Sequence, residues 1–153
     1  MRTLWRISNF VDLSGYGGEK FASRWTSLGK RVVYMAESPP GALLEILVHI
    51  QFEDDELPDE YQLLEIEAPE NLDERELLAG PRRGWQRNMA GTQSAGDRWL
   101  ASQGTALARV PSAIMPRTWN ILLKPLHPDA AQLKIVSVVR ERFDNRLFRF
   151  GGH

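Results

Sequence analysis

A chain of 153 residues fits one domain spanning 1–153, because a core of that size can be buried without dividing the chain. Its 42% hydrophobic and 25% charged residues are those of an ordinary globular protein, and a formal net charge of −1 argues against a chain built mainly to coat nucleic acid. The absence of cysteine excludes disulfides and thiolate chemistry and fits a cytoplasmic setting.

The first residues, MRTLWRISNF, contain no apolar signal-peptide core. No later apolar run approaches the roughly 20 residues that span a bilayer, so the expectation is a soluble, unexported protein with no membrane partner. Charge is uneven along the chain. Twelve of the twenty acidic residues fall between Glu53 and Glu76, while the flanking parts are basic. Such a field suits an acidic substrate or partner, and equally suits a solvated acidic face beside basic ones.

Leu4, Trp5 and Ile7 around Arg6 make a short β-like run, broken by the Gly/Ser/Asp loop at Asp12–Gly18. That loop has no GxGxxG spacing and no P-loop pattern occurs, so the nucleotide folds that depend on them are unsupported. A polar turn over Thr26–Lys30 leads to a strand at Val32-Val33-Tyr34. Ser38-Pro39-Pro40 then opens a helix, since serine caps free N–H groups and proline is tolerated in the first turn.

That helix runs through Leu43-Leu44-Glu45-Ile46-Leu47-Val48-His49, where Glu45 is the anomaly. A carboxylate in so apolar a segment must be solvated in a cleft, paired or protonated, because burying it alone is costly. His49 falls four residues on, along the same helical face. Beyond it, Ile50–Glu67 reads as β structure interrupted by the acidic loop Glu53–Glu60. Pro69–Ala79 reads as a short surface helix, and Gly96–Leu107 as a helix with Trp99, Leu100 and Leu107 directed inward. A strand at Leu107–Val110 meets Pro111-Ser112, prolines at 116, 125 and 128 impose turns, and Gln132–Val139 reads as the last central strand.

Taken one at a time, most of the notable residues have ordinary readings. Arg24 suits a surface ion pair with the acidic loop, Tyr34 a core position, Ser112 a turn and His49 a structural histidine. Only Glu45 calls for explanation by itself. With three histidines, no cysteine and no HExxH, no metal site is expected.

Together these residues form a pattern. Arg6, Arg24-Trp25, Val33-Tyr34, Ala42-Leu43-Leu44-Glu45 with His49, Val110-Pro111-Ser112-Ala113, Asn120, His127-Pro128 and Phe143-Asp144-Asn145-Arg146-Leu147 resemble the RES domain, in order and over nearly the whole chain. The family is named for an arginine, a glutamate and a serine, matched here by Arg24, Glu45 and Ser112. Two positions depart from its habit: Ser23 stands where glycine is common, and Lys124 where asparagine is.

The resemblance implies a single α+β domain of the ADP-ribosyltransferase kind, with central β-sheets and peripheral helices. It also implies the toxin of a type II toxin–antitoxin pair that consumes NAD⁺ at the nicotinamide–ribose bond, by hydrolysis or phosphorolysis. NAD⁺ would be a substrate rather than a resident cofactor, with inorganic phosphate as co-substrate in the second case. The implied partner is a cognate Xre-type helix-turn-helix antitoxin, through which alone the toxin would meet DNA. In that setting Glu45 would stabilise positive charge developing on the ribose. Arg24 would grip the pyrophosphate, Tyr34 would stack on or orient the nicotinamide, and Ser112 would bond the substrate or position Glu45. Arg6 offers a second phosphate contact and Asn120 a loop-fixing amide. A protein ADP-ribosyltransferase and a non-enzymatic toxin that binds protein or RNA remain the alternatives.

Overall fold

The computed structural model describes residues 1–53, 58–78 and 81–148, and the side chains of all of these but 50–53. Strands β1 (Arg2–Ile7) and β2 (Val33–Ala36) precede helix α1 (Pro39–Glu53), followed by β3 (Glu60–Ala68) and β4 (Glu74–Glu76). Helix α2 (Met89–Ala101) leads to β5 (Leu107–Pro111), β6 (Trp119–Leu123) and β7 (Lys134–Arg142). The strands form one sheet in the order β4-β5-β6-β2-β1-β3-β7, in which β4–β5 is parallel and the other pairs are antiparallel. The architecture is therefore α+β, with one continuous sheet where several were expected. Among the described residues no helix is long and apolar enough to cross a membrane.

Each face of the sheet carries its own core, because side chains alternate along a strand. One face gathers Leu4, Val33, Met35, Leu64, Ile66, Ile121 and Leu123. The other gathers Ala108, Val110 and Leu122 with Trp25, Val32 and Trp99, and Tyr34 packs against them. Helix α2 reaches this second face through Trp99. The strands read at Val32-Val33-Tyr34 and Leu107–Val110 form as β2, shifted to Val33–Ala36, and β5. Three consecutive buried residues in β6, Ile121, Leu122 and Leu123, serve both faces at once, which is why that segment shows no alternation and was hidden among prolines.

Several other boundaries differ from the sequence reading. No strand starts at Ile50: residues 50–53 continue α1, and 54–57 of the acidic loop lie outside the described residues. Instead of a helix over Pro69–Ala79, β4 forms beside β5, and Ala79 falls outside the described residues. Long-range charge accounts for that result. Arg2 binds Glu74 at 2.9 Å and Glu37 at 3.1 Å, and Arg109 lies 3.7 Å from Glu37 and 3.8 Å from Glu76. Helix α2 starts at Met89 rather than Gly96, capped by Asn88, whose side chain accepts from the Gly91 N–H, and Leu107 belongs to β5. Gln132 ends a 3₁₀ turn, and β7 is an edge strand, not a central one.

The departure at Lys124 also has a structural role. Its ammonium donates to the Ser102 carbonyl at 2.6 Å, closing the C-terminal end of α2, and stands 5.5 Å from the Trp99 ring. A cation there complements the helix dipole. Burial nonetheless holds the Lys124 pKa below its ordinary value, with the charge of Arg75 adding to the effect.

Candidate active site

Ser38 caps α1 as expected, accepting from the Gly41 N–H at 3.1 Å, so the helix begins right after β2 and sets Glu45 over the sheet. Asn120 on β6 stands opposite Ala36 on β2 and Val110 on β5, on the same face as Tyr34 and Leu122. Ser112 follows directly after β5. These three segments, distant in sequence, meet at one carboxylate oxygen. Glu45 Oε1 accepts from Ser112 Oγ at 2.8 Å and from Asn120 Nδ2 at 3.0 Å.

The direction of each bond is determined by the neighbours. Ser112 Oγ already accepts from the backbone N–H groups of Ile114 at 3.1 Å and Met115 at 3.2 Å. Two lone pairs are thereby used, and its proton is left to point at Glu45. Ser112 is thus a donor that holds the carboxylate and ties it to the turn after β5. Turning the Asn120 amide over would set oxygen against oxygen, so its N–H₂ faces Glu45. Its Oδ1 is then buried, with no hydrogen-bond partner among the described residues. Glu45 Oε2 takes no protein hydrogen bond among the described residues and is the oxygen available to a ligand.

Arg24 sits elsewhere on the same side of the sheet. It donates to the Gln86 carbonyl at 2.7 Å and its guanidinium lies 6.0 Å from the Trp85 ring. The acidic loop that Arg24 suggested as an ion-pair partner lies in part, at residues 54–57, outside the described residues, and no ion pair of Arg24 occurs among those described. Tyr34 is half-buried, and its hydroxyl bonds Ser23 Oγ and, at 2.8 Å, Thr26 Oγ1. Ser23, the departure from glycine, therefore links Tyr34 to the turn that carries Arg24. Among the described residues no hydrogen bond joins this group to the Glu45 cluster.

Burial lifts the Tyr34 phenol above its ordinary pKa, and the nearby charge of Asp97 adds to this, while the bonds to Ser23 and Thr26 oppose it. An unfolded tyrosine ionises near pH ~10. A raised folded value means that this residue's contribution is fully present below that pH and is lost as pH climbs through the folded pKa. In urea unfolding between about pH 9 and about pH 11, stability of the wild type is expected to fall more steeply than that of Tyr34→Phe. Equal slopes would show that the phenol ionises alike in both states.

Arg6 is placed differently again. It pairs across β1–β3 with Leu64, so alternation turns it toward the Leu4 face, away from the face of Tyr34 and Asn120. Its Nη2 donates to Ser8 Oγ at 3.3 Å, and its buried Nη1 has no partner among the described residues. Burial lowers the Arg6 pKa and the charge of Asp12 opposes that shift. An unpaired buried donor costs about 1–3 kcal/mol. β1 and β2 share a single register pair, Trp5↔Ala36, beside it. His49 is exposed, with its ring edge-on to Phe21 at 6.5 Å.

The structure thus joins Glu45, Ser112 and Asn120 directly, joins Arg24 and Tyr34 through Ser23, and leaves Arg6 apart. Trp85 and Gln86, which hold the Arg24 guanidinium, carry no motif that sequence reading could single out.

Comparison with known proteins agrees with the residue pattern. The RES domain family profile matches residues 3–145. A Pseudomonas putida protein named "Toxin Res" is 44% identical over 145 residues, covering 95% of this chain and 99% of that one. A Sphingobium protein named "Prs ADP-ribosylating toxin" is 37% identical over 158 residues, with 96% and 97% covered. A Yersinia enterocolitica "Toxin Res" is 33% identical over 141 residues, with 88% and 89% covered.

Proposed function

The chain belongs to the RES domain family, and on that premise we propose that it is a toxin which consumes NAD⁺ by breaking the nicotinamide–ribose bond. The observation that carries this reading is Glu45: a carboxylate in an apolar helix, held through one oxygen by Ser112 and Asn120, with the other taking no hydrogen bond among the described residues. In the reaction the C1′–N bond breaks and its electron pair leaves with nicotinamide, which becomes neutral. Positive charge grows on the ribose, and a fixed anion beside it lowers the barrier more than a mobile one could. An oxygen of water or phosphate then bonds C1′; water loses a proton to the solvent, and phosphate gives the sugar 1″-phosphate.

Within this reading Arg24 binds the pyrophosphate, whereas Arg6, turned to the opposite face of the sheet, takes no part in that contact. Ser112 serves as a positioning residue. Tyr34, with its hydroxyl committed to Ser23 and Thr26, orients the Arg24 turn beside any ring it touches. Asn120 holds Glu45 and presents a buried acceptor to the ligand. An ADP-ribosyltransferase-like fold, a cytoplasmic location and a silencing Xre-type antitoxin belong to the same proposal.

The test is incubation of the purified chain with NAD⁺, with and without phosphate, and mass analysis of the products. Free ADP-ribose indicates hydrolysis and its 1″-phosphate phosphorolysis. Absence of NAD⁺ loss from folded, partner-free protein under both conditions would sink the proposal. Transfer of ADP-ribose to a protein is the second reading, favoured by the name of the Sphingobium relative. It differs only in the acceptor, and labelled ADP-ribose retained on protein would identify it.

A further inference from the structure

We infer that one face of α2 is the device that positions Arg24, with Thr92, Gln93, Gly96 and Asp97 as positioning residues for phosphate binding. This rests on the reading of Arg24 as the pyrophosphate contact. The turn from Ser23 to Ser27 has no regular structure of its own, yet α2 grips it almost residue by residue. Gln93 Nε2 donates to the Ser23 carbonyl at 2.7 Å, and Thr92 Oγ1 donates to the Arg24 carbonyl at 2.5 Å. Asp97 accepts from Ser27 twice, from its N–H at 3.0 Å and its hydroxyl at 2.7 Å.

Gly96 completes the set by having no side chain. A Cβ there would stand 1.6 Å from the Trp25 carbonyl oxygen and 2.7 Å from the carbonyl carbon, so helix and turn meet backbone to backbone. Glycine inside a helix costs roughly 0.5–1 kcal/mol relative to alanine, which makes this close approach the physical reason for it. Residues 92 and 96, and 93 and 97, are each four apart and share one helical face.

Thr26, the turn residue that α2 does not hold, is buried and bonds Tyr34 on the sheet side. The turn is therefore pinned between helix and sheet, and the Arg24 side chain leaves it toward Trp85 and Gln86 with its backbone fixed on both flanks. A guanidinium on a free loop would have to be ordered by each ligand it bound. Here that entropy is lost on folding instead.

The test reads Arg24 with and without ligand. In nitrogen–proton spectra of the free protein, the Arg24 Nε–H signal is expected to move in Thr92→Val and Gly96→Ala and to return in Thr92→Ser, which keeps the hydroxyl. Calorimetry with NAD⁺, carried out throughout in a Glu45→Gln background that slows its consumption, is expected to show Thr92→Val weakening binding about ten- to hundredfold. The same change in an Arg24→Ala background is expected to leave the residual affinity unaltered, since the effect passes through Arg24. An unmoved Arg24 signal in both variants, or an equal loss in the Arg24→Ala background, overturns the inference. A wild type that shows the spectral shifts on substitution but binds no NAD⁺ upholds α2 as the positioning element and refutes the function assigned to Arg24.

Discussion

Glu45→Gln is expected to lower kcat for NAD⁺ consumption by about 10²–10³-fold, the loss seen when one fixed electrostatic partner is removed from a developing charge. The substitution is nearly isosteric. Its carbonyl oxygen can still accept from Ser112 Oγ and Asn120 Nδ2, as Oε1 does now, so the helix and both strands keep their contacts. What is lost is the negative charge, and the free position becomes an N–H₂ donor. The effect should fall on kcat more than on KM, because the neutral and the charged side chain bind a ground-state ribose hydroxyl with similar success. Retention of wild-type kcat by a folded Glu45→Gln protein would remove the carboxylate from the mechanism.

Trp99→Ala is expected to carry the largest loss of stability, about 3–5 kcal/mol, the usual cost of emptying a buried tryptophan site. Trp99 is 1% exposed and packs among Trp25, Val32, Ala108, Val110 and Leu122. Its indole N–H donates to Thr105 Oγ1 at 3.2 Å. Against the 5–15 kcal/mol typical of a whole domain, about 3 kcal/mol is a large share, and the urea midpoint should fall accordingly. Trp99→Phe should lose clearly less, since it retains most of the packing and forfeits the hydrogen bond. A loss under about 1 kcal/mol for the alanine variant would mean that α2 can collapse onto β5 and β6 without the indole.

The segments legible in the sequence were those whose signal is local. Ser38-Pro39-Pro40 announced a helix start because capping depends on adjacent residues, and the cap is there. The later part of the β structure read over Ile50–Glu67 is borne out, since the alternation of Leu64 and Ile66 with Glu65 and Glu67 in β3 reflects one strand's own geometry. The segments that misled were those governed by distant partners. Glu74-Arg75-Glu76 has a poor strand composition and becomes β4 only through pairing with β5 and through Arg2 and Arg109. Trp119–Leu123 lacks alternation because both its faces are covered.

The same division runs through the site. Glu45 stood out in the sequence because a carboxylate among Leu44, Ile46 and Leu47 violates a local expectation, and the ordered set of motifs around it pointed to the RES family, which the comparisons bear out. That Ser112 donates rather than accepts, that Asn120 shares the same oxygen, and that α2 bonds the turn carrying Arg24 were decided by tertiary structure alone. Hydrogen-bond direction depends on which lone pairs neighbouring N–H groups have already taken, and those neighbours are set by the packing of β5, β6 and α1. The sequence by itself determined the chemical inventory and its order. The fold determined which groups meet and which oxygen is left free to react, because those outcomes depend on distances between segments that no local pattern encodes.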